Sequence, residues 1–344
     1  AVSAPSSSDQ CFPCAPCLKG PPPIYLMELC CAGRNSKSDH LVEYPPPRGE
    51  FPLLPITLPR TLEAARSMPV DARTVFICSY PKSGTTWLQF ILYTLCTKGG
   101  RELDHISNYV PFLENDKSFE FDQAGASRVA AQFASGHAAI GWRLFNTHLW
   151  WDMLPKGPEA KYIYVVRSAK DVVFSFYAHL SHQALSDGGF SGSFEEFFIE
   201  WCAGKIPFGP WADSLKSFMV DTNQGLQAAA RDERILILSY AELKNDIGSA
   251  VRRIISHCNV DISEAEIEKC LPRFDISYMK ANNAKFEPRS VRWEDKGDGF
   301  QFIRHGQSGD GQRAFSAAQD AAFADMLASS FPDGIPSVMR EFCG

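Results

Sequence analysis

The run Thr74-Val-Phe-Ile-Cys-Ser-Tyr-Pro-Lys-Ser-Gly-Thr-Thr-Trp-Leu-Gln-Phe-Ile-Leu-Tyr-Thr-Leu-Cys96 sets the architecture expected of this chain. Its first part, Thr74 to Ser79, is β-branched and aromatic and reads as a buried strand. Tyr80-Pro81 breaks the strand. After Lys82-Ser83-Gly84, an almost wholly apolar run from Thr85 to Cys96 is long enough for a buried helix, with Thr85 or Ser83 as its cap. Gly99-Gly100 would end it. Strand, short loop with Lys and Gly, then helix is the geometry of a phosphate cradle: backbone N–H groups at the helix start face an anion, the helix dipole favours negative charge, and Lys82 adds a mobile cation. The triphosphate-loop pattern G-x-x-x-x-G-K-[ST] is absent. An ordinary strand-to-helix turn has the same outline, so the residues alone leave both readings open.

A length of 344 residues allows one large α/β domain or two small ones. Hydrophobic content of 45% and charged content of 22% are those of an ordinary globular protein. A net charge of −6 gives no broad drive towards nucleic acid, so an anion site must be a local basic pocket. The 11 cysteines are odd in number, and Cys78, Cys96 and Cys202 sit in apolar runs as small core residues. A reducing, cytoplasmic setting is expected. No apolar run reaches the roughly 18 residues of a membrane span.

Residues 1–50 differ from the rest. Ser and Pro crowd them, and Pro21–Pro23 and Pro45–Pro47 make stiff polyproline-like stretches without helical period. They are expected to form an irregular or disordered extension, with residues before Met27 outside the fold and 51–344 as the domain. Cys11-x-x-Cys14-x-x-Cys17 lacks a second Cys or His pair, so no metal is expected. Between Phe51 and Ala72, apolar residues are spaced by prolines, which suits either an arm across a pocket or an irregular lead-in.

Further on, strands are expected at Leu144–His148, Lys161–Val166 and Arg234–Tyr240. Helices are expected at Val172–Leu180, Phe194–Trp201, Trp211–Val220, Glu242–His257 and Phe315–Leu327. The alternation points to an α/β fold with a central parallel sheet flanked by helices. His148 ends its strand, and ligand sites in such sheets lie at strand carboxyl ends. Arg167 follows the next strand, where its planar fork suits phosphate oxygens. The stretch from Asn282 to Gly311 is rich in charge, Gly and Asn, and loops of that length are usually functional or disordered.

Five separated segments, in order, resemble the cytosolic sulfotransferases that use 3′-phosphoadenylyl sulfate. Tyr80 to Trp87 is similar to that family's 5′-phosphosulfate loop. Thr147-His148-Leu149 with Leu154-Pro155 is similar to its K-T-H-L…L-L-P segment. Tyr164 to Ser175 looks like its 3′-phosphate motif, Tyr240 and Phe274 to Lys280 like its adenine contacts, and Phe302-Ile-Arg-His-Gly306 like its F-M-R-K-G signature. The resemblance implies a single α/β domain with a P-loop-like nucleotide-binding core, and sulfuryl transfer from 3′-phosphoadenylyl sulfate to a hydroxyl or amine of a small aromatic or apolar acceptor (a phenol, alcohol or amine), leaving adenosine 3′,5′-bisphosphate. No metal, nucleic acid or membrane partner is implied.

By this match His148 is the general base and Lys82 stabilises the leaving oxygen. Lys82, Ser83, Gly84, Thr85 and Thr86 hold the 5′-phosphosulfate. Trp87, Tyr240, Ile276 and Met279 contact adenine. Arg167, Ser175, Phe302, Ile303, Arg304, His305 and Gly306 serve the 3′-phosphate end. The chain departs from the pattern at Asn146, where the family has Lys, at His305 in place of Lys and at Gly311 in place of Trp. The family's dimer segment is degraded at Gln312, Ser316, Ala317 and Ala321, which leaves the oligomeric state open. A catalytically weak 3′-phosphonucleotide-binding protein and a small-molecule kinase are the alternatives.

Overall fold

The computed structural model describes residues 51–303 and 315–343. A short helix, α1 (Pro59–Ser67), comes first. Pro59 takes the first helical position, where a missing N–H is no loss, so the proline-spaced lead-in holds a helix that its composition concealed. Strand β1 (Thr74–Ser79) and helix α2 (Thr85–Cys96) follow with the bounds expected. Helix α2 ends in paired bonds from Lys98 N–H to Leu95 O and from Gly99 N–H to Thr94 O, with both residues at positive φ.

A small hairpin, β2 (Phe119–Phe121) with β3 (Ser127–Val129), and helix α3 (Ala131–Ile140) lead to β4 (Arg143–Thr147). Strand β5 (Lys161–Val166) passes into α4 (Ala169–Leu180). Helices α5 (Phe194–Cys202) and α6 (Trp211–Phe218) precede β6 (Ile235–Ser239). The helix expected over Glu242–His257 is two helices, α7 (Tyr240–Asn245) and α8 (Ile247–Cys258). Asp246 between them has non-helical backbone, and its carboxylate caps α8 by accepting from Ser249 N–H at 2.9 Å. Helices α9 (Glu264–Cys270), α10 (Ile276–Ala281), α11 (Ala317–Ser330) and α12 (Arg340–Cys343) complete the described residues.

Among these residues four strands form one parallel sheet in the order β4-β1-β5-β6. Every residue of β1 and β6 is buried, because both faces of the sheet are covered. The pleat divides the core in two. Phe76 stacks on Phe145 and Tyr162 of the flanking strands, with ring centroids 5.6 and 5.3 Å apart, on one face. Val75, Ile77, Ile163, Val165 and Leu238 pack under α2 and α8 on the other. Residues 111–113 run along the outer side of β4, through Leu113 N–H to Asn146 O and Asn146 N–H to Pro111 O. The chain leaves β1 for β4 on one side and returns to β5 on the other. The loops after β1 and β5 therefore part at a switch point above the carboxyl edge of the sheet.

Candidate active site

Three of the sequence-predicted groups meet at that edge because their strands are in register. Ser79, Thr147 and Val166 end β1, β4 and β5, so the loop Tyr80–Gly84, His148 and Arg167 emerge side by side. A cavity of about 840 Å³ opens over them, walled by Lys82, Gly84 to Trp87, His148, Arg167, Ser175, Tyr240, Ile276, Met279, Phe302 and Ile303. Arg304, His305 and Gly306, also expected here, lie outside the described residues, as do residues 1–50 with their cysteines.

The loop turns through two left-handed residues, Lys82 at φ 68° and Gly84 at φ 108°. Gly84 is the N-cap of α2, and no side chain caps the helix, contrary to the role expected of Thr85 or Ser83. Thr85 Oγ1 instead lies 2.6 Å from Ser79 Oγ. Ser83 Oγ is buried without a hydrogen-bond partner. The first-turn amides of a helix have no partner within the helix itself, and here no side chain takes their place, which is the arrangement an anion fits. Gly84 is required twice over: its φ suits glycine, and a Cβ there would stand 2.8 Å from Tyr240 Cδ2.

His148 is half-buried on the cavity wall, between the rings of Phe112 and Phe208 at 5.6 and 5.0 Å. Its Nδ1 lies 2.8 Å from the carbonyl oxygen of Ser79, which only accepts, so Nδ1 carries the proton and Nε2 the lone pair. Loss of water around the ring lowers its pKa to about 4, the Ser79 carbonyl opposing and the Lys82 charge adding to the effect. The imidazole is therefore neutral at pH 7. Its backbone N–H donates to Glu114 Oε1 at 2.5 Å. Glu114 is wholly buried and its Oε2 has no partner; burial raises its pKa to about 8. Asn146, two residues before His148, donates through Nδ2 to Val110 O at 2.8 Å and faces the cavity as a neutral amide.

Arg167 closes the other side. It donates to Lys82 O at 3.1 Å, lies 3.5 Å from Asp171 and sits over the Tyr240 ring at 4.5 Å. Strand β6 stops at Ser239, so Tyr240 opens α7 rather than ending the strand. Its ring meets Trp87 edge-on at 5.8 Å, and Trp87 Nε1 donates to Phe274 O at 2.8 Å. Apolar walls come from Leu54, Phe112, Phe133, Phe208 and Val291. Leu54 belongs to the proline-spaced lead-in, which thus reaches the cavity as an arm.

Glu114, Phe208 and His179 reach the site without having been singled out in the sequence. For His179 a signal existed: Asp171, Ser175 and His179 recur every four residues in α4 and make one polar stripe on its cavity-facing side.

Comparison with known proteins agrees with this construction. A family model for the sulfotransferase domain matches residues 72–334. Sulfotransferase 1 family member D1 of Rattus norvegicus is 31% identical over 270 residues, covering 77% of this chain and 84% of that protein. Sulfotransferase 1E1 of Homo sapiens is 30% identical over 271 residues, covering 76% and 84%. Among solved structures, mouse sulfotransferase SULT7A1 complexed with PAP aligns with a TM-score of 0.61 at 22% identity, over 83% of this chain and 95% of that one. Retinol dehydratase in complex with androsterone and PAP aligns at 0.57 and 19%, over 80% and 86%. These two likenesses speak to the fold. The domain match and the two relatives cover three quarters of the sequence, including the loop, His148 and Arg167, and on that ground the chain belongs to the sulfotransferase family.

Proposed function

We propose that this sulfotransferase moves a sulfuryl group from 3′-phosphoadenylyl sulfate to a hydroxyl or amine of a small aromatic or apolar acceptor, with His148 as general base. The donor supplies an activated sulfuryl group on a 5′-phosphate and leaves as adenosine 3′,5′-bisphosphate. One observation carries the reading: an uncapped helix start, an imidazole with its lone pair on Nε2 and an arginine meet in one cavity at adjacent strand ends. The buried, partnerless Ser83 Oγ and the helix start that no side chain caps fit an anionic donor.

In this reading the α2 amides, Ser83, Thr85 and Thr86 hold the sulfuryl-bearing end. Lys82 meets the charge that grows on the departing oxygen, as preorganised cations do in phosphoryl transfer. Arg167 and Ser175 bind the 3′-phosphate, while Trp87, Tyr240, Ile276 and Met279 enclose the base. Phe112, Phe208 and Leu54 exclude water from the acceptor, and His148 Nε2 takes its proton. A weakly catalytic 3′-phosphonucleotide-binding protein is the second reading, favoured by the neutral Asn146 amide beside His148.

Calorimetry with adenosine 3′,5′-bisphosphate against adenosine 5′-phosphate, then transfer assays with phenols, alcohols and amines, tests both. Preference for the bisphosphate with turnover on the panel supports the first reading. The same preference without turnover supports the second, and no preference sinks both.

A further inference from the structure

We infer that His179 is a positioning residue for Lys82, an inference that rests on Lys82 acting at the leaving oxygen. Lys82 Nζ lies 3.3 Å from His179 Nδ1 and 4.4 Å from the centre of the Phe302 ring. An ammonium has donors only, so His179 Nδ1 accepts and the imidazole is neutral with its proton on Nε2. The ring is itself held edge-on by Trp293 at 5.0 Å and Phe302 at 5.8 Å. Below it, α4 is tied to the loop through Arg167, which pairs with Asp171 and donates to Lys82 O. Both ends of Lys82 are thus referenced to the same helix: its carbonyl through Arg167, its ammonium through His179.

Such a hold answers a specific difficulty. Lysine is a point charge on a flexible four-carbon stem, and a stabilising charge works only if it stands in place before charge develops. Residue 82 is left-handed at φ 68°, and its side chain lines a cavity of about 840 Å³. His179 takes one ammonium N–H and the Phe302 face takes part of the charge, so two groups fix where the cation stands. The stripe Asp171, Ser175, His179 gives α4 a second task beyond the 3′-phosphate end: setting the cation at the sulfuryl end.

The test uses the full chain with 3′-phosphoadenylyl sulfate, reading release of adenosine 3′,5′-bisphosphate with water and with 4-nitrophenol as takers. His179→Phe keeps the ring bulk against Trp293 and removes the acceptor. His179→Asn puts an amide oxygen where Nδ1 stood. His179→Phe is expected to lower kcat about tenfold with the donor KM within about twofold, and His179→Asn to recover most of that loss. In a Lys82→Met background, His179→Phe should change kcat by less than about twofold, because the partner it acts through is gone. Equal losses in both backgrounds, a loss confined to KM, or Asn behaving as Phe would overturn the inference. Lys82→Met alone with unchanged kcat would instead remove the leaving-group role itself, an outcome read without any change at His179.

Discussion

The imidazole of His148 donates from Nδ1 to the carbonyl oxygen of Ser79, 2.8 Å away, so the residue that follows β4 is tied to the last residue of β1. One bond sets both the tautomer and the direction of the ring. It also places the base beside the loop whose helix start faces the cavity, since Ser79 Oγ lies 2.6 Å from Thr85 Oγ1.

As the proposed base, His148 should be indispensable to turnover. His148→Ala is expected to lower kcat about 10²- to 10⁴-fold while adenosine 3′,5′-bisphosphate binds as before, measured by steady-state kinetics and calorimetry. With its pKa near 4, the wild-type acid limb of kcat/KM should lie well below pH 6.5. Near-normal kcat in the variant would remove His148 from the mechanism.

Arg167→Ala should weaken adenosine 3′,5′-bisphosphate by about 1.5–3 kcal/mol, the worth of hydrogen bonds to a charged group. Affinity for adenosine 5′-phosphate should change much less. Competitive calorimetry reads the ratio, and equal weakening of both nucleotides would show a loop defect instead of a lost 3′-phosphate contact.

Gly84→Ala combines a left-handed backbone with a Cβ 2.8 Å from Tyr240 Cδ2. A cost of about 1–3 kcal/mol is expected, seen as a lower melting temperature and weaker bisphosphate binding. A variant as stable and as tight as wild type would mean that the loop needs no glycine.

Stability should depend on pH in two opposed ways. His105 and His137 are buried and held to about 4 by desolvation, against 6.5 when unfolded. The unfolded chain takes up protons first, so their contribution is complete above pH 6.5 and is lost as pH falls towards 4. Glu114 is the reverse: its carboxyl is raised to about 8 from 4.5, so its contribution is complete below pH 4.5 and fades as pH rises to 8. Melting temperature should peak near pH 6.5, and Glu114→Gln should flatten the alkaline side. An unchanged alkaline slope in that variant would rule out Glu114 as its source.

Strands β1 and β5 and helix α2 were legible to the residue because each is an apolar run buried on all sides, and burial of that kind leaves its mark in composition. Helix α3 was not. Gly136 interrupts it, and the reason lies elsewhere in the chain: a Cβ at that position would meet Asn108 O at 2.0 Å. The division of α7 from α8 was equally hidden, since Asp246 is unremarkable in sequence until its backbone leaves the helix and its side chain caps the next one.

What the sequence determined by itself is local: a strand–loop–helix with Lys82 and Gly84, a second strand leading into Arg167, a His at a strand end, and their order along the chain. What the tertiary structure decided is partnership. His148 and Ser79 are 69 residues apart, and Lys82 and His179 are 97 apart. Parallel register brings the first pair to one edge of the sheet, and the placement of α4 beside the β1–α2 loop brings the second together. The protonated nitrogen of His148 and the partner of the Lys82 ammonium are therefore properties of strand pairing and helix placement, which no local stretch contains.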